Sequence, residues 1–347
     1  MMEEHKRRKR YSGTHPKTFA EKYKEHDPEK YADTVARVIS KGSTPAGMHL
    51  SIMVEEVLGA LRIQPGETGL DATLGYGGHS RRMLECLQGK GHLYGLDVDP
   101  IEIVKTEERL RKLGHGEDIF TAVRENFANI DLVAKEHGPF AFVMADLGVS
   151  SMQIDNPERG FSYKLDGMLD LRLNPESGIP AWQRLMQMNR EEIEGMLQEN
   201  ADEPYAGEIA KSIVKQRKKG VAIRTTTDLR KAVETALMFL PENGEKRDVL
   251  KKTCQRVFQA LRIDVNNEFE VLKAFLDKLP QALTEGGRVA ILTFHSGEDR
   301  LVKKAFQEYY RQHIFAEISK EVVRPTPEEC RVNGRARSTK LRWAVKA

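Results

Sequence analysis

Residues 71–80 read DATLGYGGHS, three glycines and a histidine behind an aspartate. A glycine cluster lets backbone approach a ligand closely, and this one follows an apolar run (GLDAT, 69–73) and opens a helical pattern. Backbone N–H groups at such a helix start favour an anion. No Gly-Lys-Ser/Thr follows, so a nucleoside triphosphate loses its main anchor, and the G-x-G-x-x-G fingerprint is broken by Ser80 at its third position. Twenty residues past Gly77 stands Asp97, in LDVDP at the tip of a second apolar run, where a carboxylate accepts from ribose hydroxyls. Loop and carboxylate together imply an adenosine-type ligand with a modest anionic group, as in S-adenosylmethionine or NAD. The structural alternative for Asp97 or Asp99 is capping of the helix begun by Pro100.

A second cluster lies in ADLGVSSMQID, where Asp146 ends an apolar run and Gly148, Ser150 and Ser151 follow. Small and polar groups there line the place where a reacting atom sits, or else form a plain turn. Phe127, in ENFANI, lies against an adenine or in the core; its type does not decide. In FHSGEDR (294–300), Ser296 and Asp299 have the spacing of a capping box, and His295 reads more readily as a structural histidine than as a proton carrier. The stretch VFQALRIDVNNE (257–268) reads as a helix packed on the sheet with its polar end, Arg262, Asn266, Asn267 and Glu268, toward the site.

These residues need a frame to bring them together. After an amphipathic helix marked by Met53, Val57 and Leu61, short apolar runs at 69–73, 92–99, 119–123 and 140–148 alternate with helical patterns near 80–88, 100–113 and 128–136. That rhythm predicts a parallel sheet with right-handed crossovers. From 156 to about 250 the pattern is helical throughout; strand texture returns at 286–294 and again at FAEIS and KLRWAVK. The fold expected is therefore α/β, a Rossmann-like sheet with an all-helical insertion after the fourth strand. Open sheets of this kind bind ligands beyond the carboxyl ends of their strands, so the insertion overhangs the site. The divisions read as a basic N-terminal extension at 1–46, a sheet domain at 47–155 and 253–347, and a helical insertion at 156–252 that recognises substrate.

The chain has 347 residues, 39% hydrophobic and 31% charged, with a formal net charge of +3. It holds enough apolar material for about two domains and contains no apolar run of membrane-spanning length, which points to a cytoplasmic protein. Cys86, Cys254 and Cys330 stand far apart with no CxxC, arguing against disulfides and against a zinc site; no metal is expected. Positive charge concentrates in KRRKR (6–10), in KQRKK (215–219) and in Arg331, Arg335, Arg337, Lys340 and Arg342. Such clusters either neutralise phosphates or coat a solvated surface.

In this order the motifs resemble the RsmH (MraW) family, S-adenosylmethionine-dependent methyltransferases acting on the N4 amine of a decoding-region cytosine in 16S ribosomal RNA. The resemblance runs from about His49 to Val345 and rests on HLSIMVEEVL, DATLGYGGHS, DVDP, DLGVSSMQID, RGFSYKLDGMLDLR (159–172), VFQALRIDVNNE, GGRVAILTFHSGEDRLVK and GRARSTKLR. It implies the class I methyltransferase fold, S-adenosylmethionine as cofactor, and cofactor contacts at Gly77, Gly78, His79, Asp97, Phe127, Asp146 and Gln153. It implies the small ribosomal subunit as partner and leaves self-association into a homodimer open. Family members commonly carry Pro at the position of Met152, Leu at Gly297 and Asn-Pro where Asn333-Gly334 stands, and the shorter family form begins near His49. A cytosine amine is a poor nucleophile because its lone pair is delocalised, so the chemistry calls for positioning and for an acceptor of the amine proton. Asp146 and Ser150 are the expected catalytic residues, acting on a base that is single-stranded or flipped. Competing readings are the same fold with another RNA base as substrate, a NAD-dependent oxidoreductase and a non-catalytic RNA-binding factor. The oxidoreductase predicts a Tyr-x-x-x-Lys or similar near a strand end, which the sequence lacks.

Overall fold

The computed structural model describes residues 51–242 and 244–347; the N-terminal extension, its KRRKR cluster and His49 lie outside the described residues. Seven strands form one sheet: β1 (Thr68–Asp71), β2 (His92–Leu96), β3 (Phe120–Val123), β4 (Phe140–Asp146), β5 (Leu283–Thr293), β6 (Phe315–Ile318) and β7 (Lys340–Lys346). Their order across the sheet is β3-β2-β1-β4-β5-β7-β6. β1 to β5 run parallel, and β7 enters antiparallel between β5 and β6. Because order reverses between β1 and β4, a crevice opens at their carboxyl ends, where Asp71, Asp97, Asp146 and Phe294 all emerge.

The period-two alternation of strand side chains divides the core. Phe142 and Met144 of β4, with Ala290 and Leu292 of β5, face α1 (Val54–Leu61), α2 (Gly78–Leu87) and α3 (Pro100–Lys112). Val143, Ala145, Val289 and Ile291 face the other way, toward α4 (Ile130–His137), α11 (Glu268–Ala282) and α12 (Ser296–Arg311). Phe140 joins that second face in spite of its even number because the register shifts between Phe140 and Phe142. The expected strand runs overshoot by a few residues: Asp97 and Asp99 stand beyond β2, and Leu147 and Gly148 beyond β4, where the chain turns toward the next helix.

Between β4 and β5 come the short α5 (Ser151–Asp155), then α6 (Ala181–Gln187), α7 (Arg190–Ala201), α8 (Ala206–Lys218), α9 (Thr226–Ala236) and α10 (Gly244–Asn266). Residues from Phe161 to Leu261 bury a hydrophobic core separate from the two that flank the sheet, including Leu169, Ile193, Leu197, Ile209, Leu229 and Val233. Extended pairing there is limited, among the described residues, to one bridge between Met168 and Thr225. The expected border at residue 252 falls inside α10, which runs 23 residues without a break. The expectation that this stretch packs on the sheet is not met: Val257, Phe258, Ala260 and Leu261 pack into this helical core instead. Spacing names the apolar face of a helix but not the surface that covers it.

The capping box expected at Ser296 and Asp299 is not formed. His295 is the N-cap of α12 and Ser296 its first residue. Asp299 instead accepts from Lys340 Nζ at 2.7 Å and Arg342 Nε at 2.6 Å, pinning α12 to β7. Burial raises the Asp299 carboxyl, but the hydrogen bonds and charges of Arg342 and Lys340 outweigh it and hold the group below the usual carboxylate value of 3.8. A depressed folded value means that this contribution is present at neutral pH and is lost as the pH falls from about 4 through the folded value. Asp299→Ala leaves Arg342, 8% exposed, without its carboxylate; a loss of about 3–5 kcal/mol is expected in urea unfolding at pH 7, with the difference from the parent protein shrinking at pH 3.

Candidate active site

The glycine loop joins β1 to α2 across the crevice. Leu74 N–H donates to Leu96 O at 2.7 Å and Ala72 N–H to Met144 O at 2.8 Å, tying the loop to both neighbouring strands. Gly75 and Gly77 take positive φ, 48° and 78°. Gly75 N–H donates to Asp97 Oδ2 and Asp99 N–H to Asp97 Oδ1, both at 2.8 Å. Thr106 and Arg109 of α3 hold the Gly75 and Tyr76 carbonyls at 2.6 Å each, and the Arg109 guanidinium lies 3.5 Å from the centre of the Tyr76 ring. The loop is thus fixed by protein contacts alone. A Cβ on Gly77 would stand 2.7 Å from Thr106 Cγ2, and one on Gly78 would stand 1.9 Å from Ser51 Oγ, whereas a Cβ on Gly75 meets only its neighbour Thr73 O at 3.7 Å. Gly77 and Gly78 are therefore glycines because protein crowds them, and Gly75 carries the open side of the loop. No side chain caps α2, which leaves its first N–H groups to an anion.

The alternatives at Asp97 and Asp99 separate cleanly. Asp99 is the cap of α3, accepting from Ile101 and Glu102 N–H at 3.0 and 3.4 Å. Asp97 ties the loop to the tip of β2, and burial pushes its carboxyl up to about 6 against the pull of the Asp99 and Gly75 N–H groups. Asp99 also does what the sequence did not show: Oδ2 accepts from Arg159 Nη1 at 2.6 Å and Gln153 Nε2 at 3.2 Å. Arg159 in turn donates to the Arg172 and Leu173 carbonyls at 3.1 and 2.9 Å. One buried carboxylate so joins the β2 tip, the turn after β4 and the first loop of the helical insertion. The RGF and LDLR pieces of RGFSYKLDGMLDLR meet at this point.

Asp146 emerges at the end of β4 with its N–H donating to Thr73 Oγ1 at 2.6 Å. Its Oδ2 lies 3.6 Å from His79 Nδ1, and its Oδ1 is shut from solvent with no hydrogen-bond partner. Burial, with a smaller push from the Glu298 charge, raises this carboxyl to about 7. Beneath it Asp71 accepts from the Ser80 hydroxyl at 2.6 Å and from Thr73 N–H at 3.1 Å. Ser80, the residue that breaks the dinucleotide fingerprint, is thus a partner of a buried acid. Ser150 proves to be a cap: its Oγ accepts from Gln153 N–H at 3.2 Å, and Gln153 Oε1 accepts from Ser150 N–H at 2.9 Å. Gln153 therefore holds the turn and reaches Asp99 at once. Phe127 begins a short 3-10 turn after β3 and meets Phe275 edge-on, ring centres 5.2 Å apart. It is half-buried, so one part of the ring packs on the core and the rest is exposed.

On the far side, Glu268, His295 and Glu298 bring ligand-type atoms within 4.8 Å of one another. Arg262 grips Glu268 through two hydrogen bonds of 2.7 and 2.8 Å, and His295 Nε2 lies 3.1 Å from Glu298. Glu268 is thus already paired with a cation, Arg262, and His295 faces the other carboxylate, Glu298. A polar cleft of about 340 Å³ opens beside this cluster, between α7 and α10 on one wall and α11 and α12 on the other, with Arg256, Lys273, Arg300 and Lys304 in its lining. Gly297 fits under Phe269: a Cβ would meet that ring at 2.6 Å.

The basic clusters sort differently from their sequence appearance. Lys340 and Arg342 are committed to Asp299, and Arg335 lies 3.0 Å from Asp155. Arg217 donates to the Leu185, Met186 and Met188 carbonyls, closing the end of α6. Exposed positive charge remains at Lys215, Lys218, Lys219, Arg331 and Arg337.

A sheet in the order 3-2-1-4-5-7-6 with an antiparallel seventh strand, a glycine loop after β1 and acids ending β2 and β4 defines a Rossmann-like class I methyltransferase. The model of the MraW methylase family matches residues 46–347, and the chain belongs to that family. It is 65% identical to ribosomal RNA small subunit methyltransferase H 1 of Lachnoclostridium phytofermentans over 99% of this chain and 93% of the relative. Identity to the methyltransferase H 2 of Alkaliphilus metalliredigens is 62% over 99% of each, and to the methyltransferase H of Fusobacterium nucleatum 38% over 85% of this chain and 95% of that one. Among solved structures, a SAM-dependent O-methyltransferase from Thermotoga maritima is 11% identical with a TM-score of 0.40, covering 86% of this chain and 68% of its own. Among the described residues no helix is long and apolar enough to cross a membrane.

Arg159→Met tests the junction at Asp99. It strands a carboxylate that is 1% exposed, so a loss of about 3–5 kcal/mol in equilibrium unfolding is expected. Asp99→Asn keeps the cap and strands no carboxylate, so it should cost less; a loss below about 1 kcal/mol in Arg159→Met would mean that the cap, not the ion pair, carries the junction.

Proposed function

We propose that the protein transfers a methyl group from S-adenosylmethionine to the N4 amine of a cytosine in the decoding region of 16S ribosomal RNA. The observation that carries the reading is Asp146: a carboxylate at the switch point of a methyltransferase sheet, with one oxygen unpartnered and a raised proton affinity. Buried carboxyls in that state cluster at functional sites. Relatives named as ribosomal RNA small subunit methyltransferases, at up to 65% identity, support the choice of substrate.

The residues present fit the cofactor. Asp97 offers its remaining lone pairs to ribose hydroxyls, Gly75 leaves open space beside the loop, and the uncapped start of α2 at Gly77, Gly78 and His79 suits a carboxylate. The open part of Phe127 suits an adenine, and Gln153 and Asp146 bound the reacting end. When bound, S-adenosylmethionine supplies an electrophilic methyl on a sulfonium. Asp146 then accepts the proton that the amine loses as its nitrogen gains the methyl. Ser150 contributes by fixing the turn, since its oxygen already caps α5. Residues 156–252 are proposed to recognise substrate. Lys273, Arg300 and Lys304 of the cleft and the exposed lysines of α8 would neutralise phosphates of a single-stranded segment, positioning it without reading its sequence, while Arg256 is committed to Glu203. A small-subunit substrate would put the activity in the cytoplasm.

Radiolabelled methyl transfer onto 30S subunits lacking the modification, followed by nucleoside mass spectrometry, tests reaction and base together; N4-methylcytidine is the expected product and another methylated nucleoside moves the assignment to another base. Asp146→Asn should lower the single-turnover rate at saturating cofactor by about 10²–10⁴-fold. In the parent protein that rate should fall as the pH drops below about 7, because a raised carboxyl loses its acceptor form there. Near-parental rates in both Asp146→Asn and Ser150→Ala would end the assignment. RNA affinity should weaken with salt by about 0.7 log units per log unit of salt for each phosphate held, a slope that fluorescence anisotropy measures; a flat profile contradicts the phosphate contacts.

A further inference from the structure

The His79 side chain is turned away from the loop it belongs to. Its Nε2 lies 2.9 Å from the Ile52 carbonyl, which only accepts, so Nε2 carries a proton in every state of the ring. In the neutral ring Nδ1 is then a bare acceptor, and it faces Asp146 Oδ2 at 3.6 Å. Two acceptors facing each other repel, and a proton between them turns that repulsion into attraction. Among the described residues the other charged groups directed at the pair are carboxylates: Asp71 from β1, Glu298 from α12 and Glu329 from α13 (Pro327–Val332), whose Oε1 also accepts from Met53 N–H. Arg262 is occupied by Glu268. The surroundings therefore favour keeping that proton. The contact is longer than a finished hydrogen bond, as catalytic pairs often are before substrate closes on them.

We propose that His79 and Asp146 hold one proton in common and that His79, acting through Asp146, takes it onto Nδ1 and so leaves the carboxylate ionised to receive the amine proton. His79 is on this view a positioning residue. The inference deepens the proposed function and rests on its use of Asp146. The balance is simple: the shared proton stays within the pair, the proton released by the amine goes to the Asp146 carboxylate, and from there it passes to solvent before the next turnover. Burial leaves the proton affinity of His79 below that of a free imidazole even with the Asp71 charge opposing it, so Nδ1 takes the proton only because Asp146 stands beside it.

The test uses the full chain without cofactor and reads the pair directly. NMR titration of the His79 ring nitrogens and of the Asp146 carboxyl carbon should show both signals inflecting at the same pH values. Independent inflections overturn the proposal, and this arm needs no variant of His79. Two variants then separate the contacts. The Gln side chain of His79→Gln places an amide nitrogen where Nε2 was, keeping the Ile52 contact and removing Nδ1; that of His79→Asn places one near Nδ1 and loses Ile52. In His79→Gln the Asp146 titration and the acid limb of the single-turnover rate should both move up by about one pH unit. If instead only His79→Asn is impaired and the limb in His79→Gln stays in place, the histidine serves Ile52 and the proposal falls. A rate unchanged in Asp146→Asn would defeat the acceptor role itself, an outcome distinct from an unmoved titration in His79→Gln.

Discussion

The site depends first on a single buried carboxylate, that of Asp99. It starts α3, holds Arg159 and receives Gln153, so three segments far apart in the chain are fixed by one side chain. A charge so placed would be costly without partners. Here every partner is also a structural element of the crevice: the β2 tip that carries Asp97, the turn that carries Ser150, and the loop that leads into the helical insertion. Geometry at the crevice is thus set from beneath, by residues that need not touch a ligand.

A second layer of fixation acts on the glycine loop. Its carbonyls are held by Thr106 and Arg109, its N–H by Asp97, and its two tightest glycines by the side chains of Thr106 and Ser51. A loop already held in its working shape loses little conformational freedom when a ligand arrives, which leaves more of the contact energy for affinity. The acids behave differently from this scaffold. Asp97 and Asp146 have raised values through burial, while Asp299 and Glu298, also buried, are held down by neighbouring cations and hydrogen bonds. Asp97 is raised although two N–H groups donate to it, so the presence of a cation beside the carboxyl is what sets the sign.

Much of this was legible in the sequence. Strand rhythm and the position of the helical stretch gave the sheet and its insertion, because period two and period 3.6 are local properties. Asp97 and Asp146 were legible because they end apolar runs, and the carboxyl ends of parallel strands converge. What stayed hidden is contact between distant segments. Arg159 reads as one arginine among many until Asp99 is seen beside it. Ser296 and Asp299 have a capping-box spacing, yet Lys340 and Arg342, some forty residues later, claim the aspartate. The same blindness made the basic C-terminal run look like a phosphate-binding surface when two of its members are interior ion pairs.

The continuous α10 has a mechanical consequence. The insertion returns to the sheet domain through 23 residues of unbroken helix and leaves it through the segment that Arg159 clamps. Between α10 and α11 only Asn267 departs from helical geometry, with φ of 50°. A strut at one connection and a clamp at the other oppose swinging of one wall of the cleft against the other. On the proposed function, part of the deformation needed to bring a base to Asp146 then falls on the RNA, which must unstack that base to reach the crevice.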